Sequence, residues 1–216
     1  MSGRAIVERL LADPPRVHPG APDEFGVWLT ERECYELIAS RCPPRARTLE
    51  TGLGVSTALF LGLGAAHICV VPSDAEVETL RRYCEEHAIP TDGLRVELGR
   101  SEDVLPRLES EALDVVLIDG AHGFPTPMID WFYGAGRLRR GGVVVVDDLQ
   151  LPAVAIMADF LDADPRWEPV GRTAKWAAFE RLSEGPLAED WYVQPFLTRQ
   201  RPLWKRALGR VKRALT

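Results

Sequence analysis

The stretch that decides the fold spans residues 46–57 and reads Ala-Arg-Thr-Leu-Glu-Thr-Gly-Leu-Gly-Val-Ser-Thr. It predicts a short buried strand that turns into a helix, because glycines at 52 and 54 allow a tight turn and a close approach of a ligand to the backbone. Ser56 and Thr57 are residue types that cap helices. The stretch lacks the third glycine of a dinucleotide fingerprint and the ending of a P-loop, so a phosphate-binding loop is not predicted.

The same strand–helix unit recurs along the chain. Apolar runs predict strands at 48–51, 68–71, 94–98, 115–119 and 143–148. Helical patterns lie between and after them, at 55–65, 74–88, 101–109, 124–138 and 152–163. Two more β-prone runs, 167–172 and 175–181, are close enough in sequence to form an antiparallel hairpin at the sheet edge. The alternation predicts an α/β fold with a doubly wound, seven-stranded, mostly parallel sheet and a C-terminal antiparallel hairpin.

Two segments flank this core. Residues 1–44 predict an N-terminal helical lid region with a helix at 3–12, a proline-rich connector, and a second helix. Thr30 and Glu33 have the spacing of a capping box, so we expect the second helix to begin at Thr30. The predicted domains are therefore the lid region at 1–44, the α/β domain at 45–183, and an extension at 184–216.

Charge is distributed unevenly along the 216 residues. The chain has 26 basic and 32 acidic residues, a net charge of −6, which argues against a nucleic-acid binder with a wholly basic surface. Residues 199–216 contain seven basic residues and no acid. Residues 203–215 predict an amphipathic cationic helix, and three roles stay open: contact with an anionic membrane surface, docking on the acidic body or on another subunit, or none. The oligomeric state is not predicted.

Cysteine spacing and apolar runs bear on localisation. No apolar run approaches the roughly 20 residues that span a bilayer, and charges interrupt the apolar N-terminus, so we expect no secretory signal. Four cysteines show no paired or zinc-binding spacing, which favours reduced thiols in a cytoplasmic protein: Cys34, Cys42, Cys69 and Cys84.

Three segments resemble the class I S-adenosylmethionine-dependent methyltransferases, over about residues 46–182. They are Glu50–Gly54, the Ile-Asp-Gly-Ala-His-Gly run at 118–123, and Gly141-Gly142 followed by 143–148. The resemblance implies a Rossmann-like fold, S-adenosylmethionine (SAM) as cofactor, and the small-molecule O-methyltransferase subgroup. It places the methionine end of SAM near Glu50, Gly52 and Gly54, and the adenine near Ser101, Glu102 and Asp103. Ser56 and Asp119 complete the expected cofactor set.

One position departs from the family pattern. The family usually ends its second strand with an acid that binds the ribose hydroxyls, but here that position is Val71. Asp74, at the start of the next helix, is the candidate substitute. The departure motivates an alternative function: a methyltransferase-like binding or assembly module that transfers no methyl group.

Three acids follow two strands that are neighbours in the predicted sheet. Asp119 follows the fourth strand, and Asp147 and Asp148 follow the fifth, so their carboxylates should meet at one edge. They would repel each other unless a proton, the sulfonium of SAM or a hard cation such as Mg²⁺ neutralised them. The resemblance to metal-dependent O-methyltransferases implies a divalent metal on these three residues. The alternative is that they are turn residues that accept backbone hydrogen bonds.

His122 is the candidate base. An imidazole in the loop after Asp119 could take a proton from a substrate hydroxyl near neutral pH, so His122 and Asp119 are the predicted catalytic residues. The predicted function is O-methylation of a small hydroxylated molecule, a sugar or a natural product, with no nucleic acid as partner.

Overall fold

The computed structural model describes residues 2–20, 26–185 and 187. Seven strands form one sheet in the order β3-β2-β1-β4-β5-β7-β6. Strands β1 to β5 are parallel, and β7 is antiparallel to both β5 and β6. The predicted doubly wound, mostly parallel sheet with a closing hairpin is therefore confirmed. The strand bounds are β1 Arg47–Thr51, β2 Ala66–Val71, β3 Leu94–Leu98, β4 Leu113–Ile118, β5 Leu138–Val146, β6 Trp167–Arg172 and β7 Ala177–Arg181.

Helices cover both faces of the sheet. Helices α1 to α4 contribute to the core on one face, and α5 to α7 contribute to the core on the other. Alternate residues of β5 enter the two cores, Val145 one and Val144 the other, which explains why the strand is apolar over residues 143–146. The helix bounds are α1 Gly3–Ala12, α2 Arg32–Arg41, α3 Val55–Gly62, α4 Asp74–Glu86, α5 Ser101–Val104, α6 Thr126–Ile129 and α7 Pro152–Ala163.

The strand order reverses between β1 and β4, which are hydrogen-bonded neighbours. Thr51 pairs with Ile118, and Ile118 pairs with Val146, so three strands end at the same level. The residues that follow them therefore meet at one edge of the sheet, in the crevice where open α/β sheets bind ligands.

The predicted capping box at Thr30 is wrong. Helix α2 begins at Arg32 with Glu31 as its N-cap, and Glu31 makes no capping hydrogen bond through its side chain. The hydroxyl of Thr30 instead donates to Oδ1 of Asp147 at 2.7 Å. Tertiary contact with the acidic end of β5 has therefore overridden the local capping signal. The predicted helix at 3–12 is confirmed as α1, with the Ser2 side chain as its cap.

The helix predicted at 124–138 is broken into three pieces. Helix α6 is followed by a π-helical turn at Asp130–Gly134 and a 3₁₀ turn at Ala135–Arg137, and β5 then begins at Leu138. A Cβ on Gly134 would lie 3.1 Å from a methyl of Leu49, so the segment passes close over the sheet there. Turns of the π type inside helices are frequent at functional sites. The helix predicted at 101–109 also ends early, because Pro106 lies in a 3₁₀ turn after α5.

The basic tail at 199–216 and the predicted helix at 203–215 lie outside the described residues. The boundaries predicted at 44/45 and 183/184 stay predictions. Among the described helices, none combines the length and the apolar character that crossing a bilayer would require. The four cysteines are all buried and free.

Candidate active site

A cavity of about 520 Å³ opens at the carboxyl ends of β1, β2, β3 and β4. Its volume lies within the range of small-molecule sites. The connector between α1 and α2 and helix α2 contribute His18, Pro19, Trp28 and Tyr35 to the lining. The strand ends supply the rest of the lining, in four stretches: 52–56, 70–72, 99–102 and 119–122, joined by Glu76 and Thr126.

Gly52 joins the loop after β1 to the end of β4. Its φ is +104°, and a Cβ there would lie 2.4 Å from the carbonyl oxygen of Asp119. Its N–H donates to the carbonyl of Val70 at 3.0 Å. Only glycine combines this backbone conformation with so close an approach. The position therefore holds three strand ends in a fixed relation around the cavity.

Glu50 is hydrogen-bonded to residues that follow β1 and does not line the cavity. The side chain is 1% exposed, and both carboxylate oxygens have protein partners. Ser56 donates to Oε1, Thr57 donates to Oε2 at 2.9 Å, and His67 Nε2 lies 3.2 Å from Oε2. The Thr57 hydroxyl also accepts from the N–H of Gly54 at 2.9 Å, which confirms its capping role. Contact of Glu50 with the methionine end of SAM stays a prediction.

Of the three residues predicted to lie near the adenine, two line the cavity and one does not. Ser101 and Glu102 line the cavity, whereas Asp103 is exposed and lies outside the lining. Arg100 Nε donates to a carboxylate oxygen of Glu102. The rim that could receive an adenine is therefore formed by the first two residues of α5.

Glu76 is an acid of the cavity lining that the sequence reasoning missed. Val71 lines the cavity, while Asp74 is exposed and lies outside the lining. Glu76 lines the cavity from the first turn of α4, with Oε1 at 3.6 Å from Nδ1 of His18. The Ser73 hydroxyl accepts from the N–H of Glu76 at 3.3 Å. The Ser-x-x-Glu spacing of a capping box was the available signal, because it puts residue 76 beside the helix N-terminus.

A chain of contacts links the loops after β4 and β5. His122 Nε2 lies 3.0 Å from Oδ2 of Asp148. Lys175 Nζ lies 2.5 Å from Oδ1 of Asp148 and 3.1 Å from Oδ2 of Asp147. Gln150 donates to Oδ1 of Asp148 at 2.7 Å. Asp148 has a φ of +64°, a region that Asp tolerates better than most residues and that is found at functional sites.

These contacts separate the pKa values of the three acids. Burial, followed by the charges of Asp147, Glu50 and Asp148, raises the pKa of Asp119 well above its ordinary value. Burial also raises the pKa of Asp147. The hydrogen bond from His122, with help from Lys175, lowers the pKa of Asp148. Of the three, Asp148 therefore most readily stays ionised.

Lys175 was also missed. It lies in the turn between β6 and β7, and burial, which lowers its pKa, is outweighed by Asp148 and Asp147, so that its pKa is raised. No sequence pattern connects it to the acids. The only signal was the electrostatic requirement that clustered carboxylates be neutralised.

Asp119, His122 and Asp148 offer ligand atoms that all lie within 4.8 Å of one another. That donor set suits a divalent metal in residue type. The fit is poor in detail, because the oxygens of Asp148 accept from His122, Lys175 and Gln150, and both oxygens of Asp147 have donors as well. Metal ligation by Asp119, Asp147 and Asp148 stays a prediction.

Asp130 lies in the π-helical turn, fully buried, under the loop after β1. The hydroxyl of Thr51 donates to its Oδ2 at 2.9 Å. Burial raises the pKa of Asp130 to about 6, although the hydroxyls of Ser101 and Thr51 oppose the shift. A titrating carboxyl therefore lies behind two residues of the cavity region, which sequence reasoning did not anticipate.

Comparison with known proteins relates part of this chain to methyltransferases. Residues 49–149 match the family model described as a methyltransferase domain. A protein of Mycobacteroides abscessus named "Putative O-methyltransferase" is 37% identical over 101 residues, which cover 44% of this chain and 45% of that protein. The match thus spans less than half the length of this curated relative.

Solved structures share the fold. The O-methyltransferase TomG from Streptomyces achromogenes, involved in tomaymycin synthesis and solved with SAM, has a TM-score of 0.62 at 16% identity, covering 84% of this chain and 89% of that one. The Podospora anserina methyltransferase PaMTH1, solved with SAH, has a TM-score of 0.57 at 15% identity, covering 84% and 88%. The family match supports the resemblance to methyltransferases over residues 49–149, and the solved structures confirm the fold.

Proposed function

We propose that this chain, whose residues 49–149 match the methyltransferase-domain family, is a SAM-dependent enzyme that methylates a hydroxyl group of a small molecule such as a sugar or a natural product. The observation that carries the proposal is the position of His122. It lines the cavity at the strand ends, and Asp148 holds its Nε2 atom.

The lining residues fit SAM in kind. Gly52, Gly54 and Ser56 would hold the methionine end, as the family resemblance implies. Ser101 and Glu102 would face the adenine, and we assign the ribose hydroxyls to Glu76 because it is the acid beside Val71 that lines the cavity. When bound, SAM supplies a methyl group that its sulfonium already activates.

The chain's own part in the reaction is to align the acceptor and to remove its proton. A hydrogen bond from Nε2 to Asp148 puts the ring proton on Nε2 and leaves a lone pair on Nδ1 for the acceptor hydroxyl. The ionised Asp148 then stabilises the imidazolium that forms. A positioned base of this kind contributes roughly 10²–10⁴-fold to a rate.

Asp119 is the second predicted catalytic residue. Its carboxyl group lies within 4.8 Å of ligand atoms of His122 and Asp148, and its carbonyl packs against Gly52. With its pKa raised, a protonated Asp119 can donate a hydrogen bond to the acceptor oxygen and orient it.

A second candidate function is a binding or assembly module that keeps the fold without methyl transfer. The observation that favours it is Val71, an apolar residue lining the cavity where the family usually has an acid. The two functions differ in whether SAM binds and whether a product forms.

The test has two stages. Mass spectrometry of the purified full chain should detect SAM or S-adenosylhomocysteine, and calorimetry should show SAM binding. Transfer of a labelled methyl group to a panel of sugars, phenols and hydroxylated natural products should then yield a product with wild-type protein and far less with His122→Ala. Absence of SAM binding would overturn the proposal. If SAM binds and His122→Ala leaves methyl transfer unaffected, His122 is not the base.

A further inference from the structure

The Asp147–Asp148 pair already has a cation of its own. The ammonium of Lys175 lies 3.1 Å from Oδ2 of Asp147 and 2.5 Å from Oδ1 of Asp148. The side chains of the two acids are only 3% and 13% exposed, and that of Lys175 is 26% exposed. Charges sheltered from water to this degree interact more strongly than surface pairs do.

The remaining contacts of the pair come from uncharged groups and His122. Thr30 donates to Oδ1 of Asp147 at 2.7 Å. Gln150 donates to Oδ1 of Asp148 at 2.7 Å, and His122 Nε2 lies 3.0 Å from Oδ2. Every oxygen of the two carboxylates thus has a protein partner. A hard cation binds through carboxylate oxygens and would have to displace these donors.

Lys175 is held in place by its own backbone. Its N–H donates to the hydroxyl of Thr173 at 3.1 Å, and its carbonyl accepts from the N–H of Leu149 at 2.7 Å. Leu149 directly follows Asp148, so the turn that carries the ammonium is fastened to the loop that carries the acids. The side chain therefore needs little ordering to reach the pair.

The charge of Lys175 also bears on metal binding. Its ammonium offsets one of the two carboxylate charges, and it would repel a divalent cation placed beside the pair.

We infer that Lys175 is the resident counter-ion of Asp147 and Asp148, and that this site functions without a divalent metal. The inference rests on the contacts of the pair and concerns cation binding. Its failure would leave SAM binding and methyl transfer untouched.

Cation binding is the direct test. Mn²⁺ titrated into the wild-type full chain, followed by electron paramagnetic resonance and calorimetry, should show no site filled at micromolar concentrations. Lys175→Met keeps a similar length, removes the charge and should bind Mn²⁺ at least about tenfold more tightly than wild type. Lys175→Arg keeps the charge and should behave as wild type does.

The wild-type titration decides the matter even if Lys175→Met does not fold, which circular dichroism would reveal. Micromolar Mn²⁺ binding by wild type that Asp148→Asn abolishes would overturn the inference. Equal Mn²⁺ affinity in wild type and a folded Lys175→Met would also overturn it. Methyl transfer that persists unchanged in chelator would support it.

Discussion

His122 Nε2 and Asp148 Oδ2 lie 3.0 Å apart, although the two residues follow different strands of the sheet. The contact is possible because β4 and β5 are parallel neighbours whose last residues, Ile118 and Val146, are in register. Lys175 binds the same carboxylate from the opposite oxygen, so Asp148 is fixed between a candidate base and a cation. The pair thus forms the functional centre of the proposed reaction.

Replacing either member of this pair should affect the rate of methyl transfer rather than SAM binding. We expect His122→Ala to lower kcat by roughly 10²–10⁴-fold, because the base is lost. Asp148→Asn should also lower kcat, because the ring loses the carboxylate that orients it and stabilises its positive charge. Steady-state kinetics and SAM calorimetry measure the two effects separately.

His87→Ala is the matched control for this pair. His87 also contacts a carboxylate, with Nε2 at 3.0 Å from Asp13 Oδ2, but it does not line the cavity. Its replacement should leave kcat unchanged. Equal losses of activity in His122→Ala and His87→Ala would point to a general effect on stability and contradict the assignment.

Gly52→Ala should abolish SAM binding and destabilise the fold. The φ of +104° is unfavourable for alanine, and the new Cβ would meet the carbonyl of Asp119 at 2.4 Å, so the loop has to move. Strain of this kind costs about 1–3 kcal/mol before the clash is counted. Urea unfolding and SAM calorimetry measure the two consequences.

Gly64→Ala is the control that introduces the backbone strain of alanine at a positive φ without the steric clash expected at Gly52. Gly64 has a φ of +76°, and a Cβ at this position would have no neighbour within 4 Å, so its replacement should cost stability without affecting SAM binding. If Gly64→Ala weakens SAM binding as much as Gly52→Ala does, the close approach to Asp119 is not what shapes the site.

The order of elements was predictable from the sequence because it depends on local patterns. Apolar runs predicted the bounds of β1 to β4 to within about two residues, whereas β5 begins at Leu138, well before the predicted run at 143–148. The helix around Asp130 was predicted as one regular element, and its π turn depends on how the segment packs over the sheet.

The site was predictable only where its residues end strands. Asp119, His122 and Asp148 follow β4 and β5, and topology alone brings them together. Thr30 and Asp147 are in contact although they are 117 residues apart in sequence. Lys175 lies in a hairpin turn and contacts Asp148 in a different loop. No local sequence pattern predicts either contact. Glu76 is different, because its capping spacing with Ser73 was visible in the sequence.

Glu76→Gln should weaken SAM binding more than Asp74→Asn does. Glu76 lines the cavity and can accept hydrogen bonds from ribose hydroxyls, whereas Asp74 is exposed outside the lining. Loss of a hydrogen bond to a charged acceptor costs about 1.5–3 kcal/mol, which corresponds to roughly tenfold or more in Kd. Calorimetry with SAM measures both variants.

Comparing Glu76→Gln with Asp74→Asn also tests Asp74, the residue that the sequence suggested for binding the ribose hydroxyls. Asp74 and Glu76 share the first turn of α4, so each variant removes one charge near the same helix end. A larger loss in Asp74→Asn would assign the ribose to Asp74 and remove Glu76 from the cofactor site.

Asp130 should make the free energy of unfolding depend on pH. Its pKa in the folded chain, about 6, lies above its ordinary value of 3.8, so the fold holds this proton more tightly than the unfolded chain does. The resulting stabilisation is complete below pH 3.8 and is lost as the pH rises through 6.

Asp130→Asn cannot titrate, so between pH 4 and 7 its free energy of unfolding should fall less than that of wild type, by up to about 3 kcal/mol. Urea unfolding at several pH values measures the difference, and Asp92→Asn, at an exposed position, should follow the wild-type curve. Parallel curves for wild type and Asp130→Asn would show that Asp130 does not take up a proton in this range.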